Sequence, residues 1–381
     1  MGSPVPSFDI CFPLSQYPDA PSLERAAHLM PVREFDAIVV GASFAGLGVA
    51  RQLRGEVLLL DRNEVGAVQT SACGTPLWVP KALGVADSVL QIHDRLTVRT
   101  PMGSVTYDLS EVPFCTFDYR RFCQGLLAQC RARFLRASVT GFEEGAVVTS
   151  EGRFRAPIVI DASGWRAALV RGRTGPPAGR GYSFGLETRA RLADEGLSFW
   201  LDKRLIRRGL GWIFPVGNES LIGLGSYAGA SKLKPALERF LADVGAAPTT
   251  YHGTYFPNRL LRPTVGRLFA VGDAGGQCMP FTAEGIRPAL YFGGECGKLV
   301  QRVIDGGLDL SEALDAYRGR VESYRRAYRV LWLAQLFAAH APTRWFAAFT
   351  RLAARHPVLP RWWPRYGWFG RMDPAPVPTA P

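Results

Sequence analysis

At 381 residues the chain can form one large domain or two interleaved ones, and its 47% hydrophobic and 20% charged content excludes a disordered or fibrous protein. The net charge of +12, carried mostly by Arg, calls for an anionic partner or surface, yet there is no zinc-finger spacing, set of RNA-recognition aromatics or lysine-rich tail to make that partner a nucleic acid. Seven cysteines, an odd number without a CxxC pair, exclude a disulfide framework and a structural zinc site and predict a reducing, cytoplasmic setting.

Residues 1–34 are Pro- and Ser-rich with a short helix-like piece, LERAAHLM, and read as an extension. MGSPVPSFDICFPL lacks a basic stretch followed by a long apolar run, so no secretory signal is expected. Phe35–Val40 is an apolar strand that runs into the loop GASFAG (Gly41–Gly46), a G-x-G-x-x-G pattern with Ser43 at its second glycine position. Leu47–Leu53 follows as a helix, and Glu56–Leu60 as a strand ending in Asp61. That acid lies about 20 residues after Gly41, the spacing of a ribose-binding carboxylate in a dinucleotide-binding unit.

Residues 66–116 mix turns and short strands, and Tyr119–Phe134 reads as one helix. Val139–Val148 and Arg153–Ile160 read as strands leading into DASGW, where Asp161 ends a strand and Gly164 permits a tight bend. Alternating apolar and polar residues over 180–230 predict an antiparallel sheet. Ala236–Asp243 is a helix, and Arg267–Val271 a buried strand entering VGDAGGQCMPFTAEGI (Val271–Ile286). In that segment Asp273 can accept hydrogen bonds from ligand hydroxyls, while the glycines let backbone approach a flat ring and a phosphate. A long helix, Arg287–Ile304, follows. The last part is rich in Arg and Trp (Trp332, Trp345, Trp362, Trp363 and Trp368) but has no apolar run of the ~20 residues needed to span a bilayer. It reads either as helices packed on the core or as a peripheral lipid-facing surface.

GASFAG, Asp61, DASGW and VGDAGG…PFTAEGI, in this order, resemble the FAD-dependent oxidoreductases with the hydroxybenzoate-hydroxylase fold, and within them the geranylgeranyl reductase family. Gly275 stands where the hydroxylases usually carry His. Glu284-Gly285-Ile286 stands where they have Gln-Gly and Asn, and GWIFP (Gly211–Pro215) matches a strand of the reductases. The resemblance implies an α/β (α+β) protein with a Rossmann-like FAD-binding domain (35–175 and 262–310), an inserted antiparallel substrate-binding sheet (176–261) and a helical C-terminal segment (311–381). It implies that Gly41, Ser43 and Gly46 hold the pyrophosphate and Asp61 the adenosine ribose. Arg120 or Arg121 is expected to contact the cofactor, as are Asp161, Gly164, Gly272, Asp273, Pro280, Gly285 and Ile286. Cys73, in SACGTP, and Trp212 are the catalytic candidates, and Trp78, Trp212, Phe214 and Pro215 the expected substrate wall.

The expected chemistry is reduction of a carbon–carbon double bond in an isoprenoid or similar apolar substrate by hydride from flavin N5. No second dinucleotide loop is present, so NADPH is expected as a transient reductant. The alternatives are a monooxygenase, disfavoured by Gly275 and Glu284; a halogenase relying on Lys81, disfavoured by Leu210 at a position where halogenases carry Trp; and a membrane-associated flavin electron carrier.

Overall fold

The computed structural model describes residues 33–172, 181–355 and Tyr366. The expected LERAAHLM helix, most of the N-terminal extension, Cys11, Trp362, Trp363 and Trp368 lie outside the described residues.

A six-stranded sheet forms the cofactor-side layer. Its order is Thr264–Val265, Leu268–Ala270, Ile158–Asp161, Ala37–Val40, Val57–Asp61 and Arg133–Arg136. All pairings are parallel except the hairpin at the first edge. Strands Ala37–Val40 and Ile158–Asp161 are buried throughout, as continuous apolar runs between two covering layers must be. The helix Phe44–Ala50 is entirely buried and packs on the long helix Ile286–Ile304. Glycines make that approach possible: a Cβ on Gly293 would lie 2.6 Å from the Ala45 carbonyl oxygen, and one on Gly297 2.6 Å from that of Val49.

A seven-stranded sheet forms the second layer, in the order Pro248–Pro257, Tyr182–Ala190, Ser220–Ser226, Gly209–Pro215, Leu197–Trp200, Arg95–Thr100 and Gly103–Asp108. One face buries Ile213, Ile222 and Leu224 under the helix Lys234–Asp243, through Leu237, Phe240 and Leu241. Successive side chains of a strand point to opposite faces, so the alternate residues of the same strands face the other way, into the molecule. The strands at 95–108 belong to this sheet, so the boundary expected at residue 176 leaves out a hairpin that the chain contributes much earlier.

The helix expected over Tyr119–Phe134 ends at Leu127, and Arg133–Arg136 instead pairs with Leu58–Asp61 at the sheet edge. The strand expected over Val139–Val148 is a hairpin, Val139–Glu143 with Ala146–Thr149, turned at Glu144 and Gly145, both of which have positive φ. The strand expected over Arg153–Ile160 is likewise two, Gly152–Arg155 and Ile158–Asp161, which enter different sheets.

Three helices close the described chain: Leu310–Glu322, Arg325–His340 and Thr343–Arg355. The second buries Tyr328, Leu331, Gln335 and Ala339. Its opposite face exposes Val330, Leu333 and Phe337, at helical spacing. The third helix exposes Trp345, Phe349 and Leu352. The Phe337 and Phe349 rings lie 6.2 Å apart and join the two stripes. No helix among the described residues is long and apolar enough to cross a membrane.

Candidate functional site

A cavity of about 920 Å³ lies between the two layers. On the cofactor side it is lined by Gly41–Ala45, Asp61, Gly164, Gly272, Asp273, Gly285 and Ile286, and on the other by alternate residues of the seven-stranded sheet.

The glycine loop takes the form its sequence predicts. Gly41 has φ +106°, and a Cβ there would stand 2.2 Å from the carbonyl oxygen of Ala162. Gly46 does not line the cavity. A Cβ on it would meet the Gly41 carbonyl oxygen at 1.7 Å, so its role is to let the helix start against the loop. The Ser43 hydroxyl faces the cavity and is hydrogen-bonded to the Tyr119 hydroxyl at 3.0 Å. Asp61 accepts from the backbone N–H of Ala42 at 2.8 Å and of Asn63 at 2.9 Å, and its remaining lone pairs are open to ribose hydroxyls.

Asp273 differs from Asp61. Its carboxylate lines the cavity with no hydrogen-bond partner among the described residues, and burial pushes its pKa up to about 7. An acid in this state is stabilised by hydroxyl donors from a ligand. That requirement fits a ribityl or ribose chain, so the residues present suit FAD.

Beside it, Phe281 and Ala283 hold left-handed backbone conformations, φ 68° and 54°. The surroundings fix this loop: Phe281 N–H donates to Gln335 Oε1 at 2.9 Å, and the Tyr227 hydroxyl donates to the Phe281 carbonyl at 2.7 Å. Glu284 is paired with the fully buried Arg287 at 2.7 Å and accepts from the Tyr366 hydroxyl at 2.6 Å.

Several expected site residues fall elsewhere. Asp161 is completely buried and spends its carboxylate on the Ser163 hydroxyl and on the backbone N–H groups of Ser163, Leu169 and Val170, so it organises a turn instead of meeting a ligand. Arg120 and Arg121 are exposed on the helix surface and do not line the cavity. Pro280 and Pro215 are buried outside it, and the Pro215 carbonyl accepts from Thr116. Trp78 packs against the main core. Cys73 belongs to that core too; its thiol donates to the Ser71 carbonyl at 3.3 Å, and burial raises its pKa far above the usual thiol range. It is a protonated core thiol in a φ +53° turn, which places Gly74, not the sulfur, against the cavity. Lys81 is exposed and lies outside the cavity.

The expected aromatic wall is present in Trp212 and Phe214, joined by Phe199, Leu197, Leu210 and Phe256. One row of cross-strand neighbours crosses the sheet: His252, Glu187, Gly223, Trp212 and Phe199. The glycine makes this arrangement possible, because the Trp212 indole lies over Gly223, where a Cβ would be 2.2 Å from Cζ2. The indole N–H donates to Glu187 Oε2 at 2.6 Å, and His252 Nε2 is 3.1 Å from Glu187 Oε1. Glu187 and His252 both line the cavity and were not expected from the sequence. The only signal was an acid on the same phase of its strand as Gly185, a phase that the structure turns inward.

Among the described residues no cluster of His, Cys, Asp and Glu could hold a metal ion. The six described cysteines are free.

A digeranylgeranylglycerophospholipid reductase from Methanothermobacter thermautotrophicus is 27% identical over 345 residues, covering 78% of this chain and 83% of the relative. The chain is similar in sequence to that reductase along most of both lengths. The fold is likewise shared with solved structures. A geranylgeranyl bacteriochlorophyll reductase-like protein from Thermoplasma acidophilum superimposes with a TM-score of 0.76 at 18% identity, over 86% of this chain and 93% of that one. A probable FAD-dependent monooxygenase from Pseudomonas aeruginosa shares the fold with a TM-score of 0.65 at 15% identity, over 83% and 99% of the two chains. No family model matches. By sequence the chain is similar to a named reductase and by fold to flavin-enzyme structures, and residues of this chain line both sides of the cavity.

Proposed function

We propose that the protein reduces carbon–carbon double bonds of an isoprenoid or similarly apolar substrate. The observation that carries this reading is the continuity of the cavity, in which the glycine loop and Asp273 share one space with the wall of Trp212, Phe214, Phe199 and Phe256. Gly41, Ser43, Asp61, Asp273, Gly285 and Ile286 are the residues to hold FAD, which when bound supplies two-electron hydride chemistry. The aromatic wall orients an alkene and keeps water from it. NADPH is the proposed reductant, acting transiently from outside.

The exposed stripes of the two last helices carry Arg325, Arg326, Arg329 and Arg344 around their apolar residues. We assign this surface to an anionic lipid bilayer, where arginine and tryptophan each keep an apolar body and a polar end satisfied. It is the place to collect an apolar substrate.

The test is anaerobic. FAD-loaded protein, reduced chemically, is mixed with a geranylgeranyl-chain lipid and the product is weighed. A gain of two hydrogens per double bond with reoxidation of the flavin is expected. A product that gains oxygen in air, with no anaerobic reoxidation, would establish the monooxygenase alternative instead.

A further inference from the structure

We propose that His252, oriented by Glu187, donates the proton that completes double-bond reduction. This rests on the reductase reading above and assigns the half of the chemistry that a hydride source cannot supply.

Saturating an alkene takes a hydride at one carbon and a proton at the other. FAD, when bound and reduced, would supply the hydride with its electron pair. The π pair forms the second C–H bond with the proton from His252, leaving neutral imidazole, and water returns the proton to the ring. The apolar wall requires a donor of this kind, since Trp212, Phe214, Phe199 and Phe256 have no transferable proton to offer near neutral pH.

The geometry points to His252 for three reasons. Its Nε2 meets the carboxylate of Glu187 at 3.1 Å, which fixes Nε2 as the protonated nitrogen and leaves Nδ1 for the cavity. Nδ1 has no partner among the described residues, and the side chain is 30% exposed, whereas Glu187 beneath it is 4% exposed. Glu187 itself is locked: Trp212 donates to one oxygen at 2.6 Å, and Gln69 reaches the other at 3.4 Å. A carboxylate fixed in this way orients the imidazole and holds its Nδ1 edge toward the cavity.

Other candidates are placed less well. The Cys73 thiol is buried away from the cavity and its pKa is raised by burial, then by Glu187. The Tyr227 hydroxyl is spent on the Phe281 carbonyl. Asp273 stands on the cofactor side. Of the charged neighbours of Glu187 on its own strand, Arg189 is paired with Glu219 at 3.0 Å.

Two measurements test the assignment. The first needs no substrate: the His252 Nε2–H resonance is observed by NMR, assigned with H252Q. Glu187→Gln should shift or broaden that resonance as its acceptor is changed, and an unchanged resonance overturns the dyad. The second uses chemically reduced, FAD-loaded protein and a geranylgeranyl-chain lipid, without oxygen. H252Q should slow flavin reoxidation by about 10²-fold or more, with an unaltered melting temperature and FAD content. In D2O the wild-type product should carry one solvent deuterium for each double bond reduced. H252Q reoxidising at wild-type speed overturns the donor role alone. A wild-type protein that never reoxidises overturns the reductase reading and the donor role together, while the Nε2–H resonance still reports whether the dyad exists.

Discussion

Asp273 has no donor for its carboxylate among the described residues, and burial raises its pKa from 3.8 to about 7. Between those values the folded protein keeps a proton that the unfolded chain has released. The stability tied to this group is therefore complete below about pH 4 and is lost as the pH rises through about 7. Ligand-free Asp273→Asn should match the wild type near pH 4 and be more stable near pH 8, by about 1–3 kcal/mol in thermal or urea melts. Identical curves at both pH values would show that the carboxylate is not held at a disadvantage. FAD should reverse the effect, because hydroxyl donors favour the charged form. Calorimetry near pH 6 in buffers of different ionisation enthalpy should detect proton release on FAD binding, and Asp273→Asn should abolish it. Asp273 was legible from its motif, since a strand ending in Gly-Asp before small residues is a local signal. Asp161 sits in an equally suggestive motif, yet four local donors absorb it, and nothing in Asp-Ala-Ser-Gly distinguishes the two cases.

Elements add information that residues lack. Glu187 and His252 are 65 positions apart and meet only because two strands pair in register. A one-residue slip of either strand would turn its member of the pair away from the cavity. No local pattern encodes that register, which is why the dyad was invisible while the glycine loop was not. Gly223 gives a direct test of the row. A methyl there collides with Trp212 Cζ2 at 2.2 Å and with the Leu186 carbonyl oxygen at 2.7 Å. Gly223→Ala should cost about 1–3 kcal/mol by overpacking and shift tryptophan emission as the indole leaves Glu187. Unchanged emission would mean that the ring does not lie on the glycine. At the start of the helix Ile286–Ile304, Arg287 is fully buried against Glu284 and Tyr366. Arg287→Met should cost about 3–5 kcal/mol, because Glu284 keeps a buried charge without its partner, and adding Glu284→Gln should restore much of it. A single variant as stable as the wild type would show that water reaches Glu284.

At the scale of the molecule, the C-terminal helices pack on the core by one face and leave the other exposed. The helix Arg325–His340 holds the cofactor-side turn, through the Tyr328 hydroxyl on the Gln277 carbonyl at 2.5 Å and Gln335 on Phe281. Its other face offers Val330, Leu333 and Phe337 to the outside. Composition posed a choice between core packing and a lipid-facing surface. The helix geometry shows the core packing on one face, and the exposed opposite face carries the proposed lipid contact. Removing the segment whole would strip the support from the flavin turn, so a membrane test must use exposed side chains alone. Leu333, Trp345 and Leu352 are 52%, 60% and 62% exposed, and replacing all three with Ser should leave melting temperature and FAD content nearly unchanged. Co-sedimentation with vesicles containing phosphatidylglycerol should fall by at least tenfold, since each buried apolar side chain contributes about 1.5–3 kcal/mol. The remaining association should weaken further with salt as the arginines are screened. Undiminished binding by the triple variant would remove the lipid assignment. So would a wild-type dimer that the same substitutions split into monomers, because the stripes would then be facing a second copy of the chain.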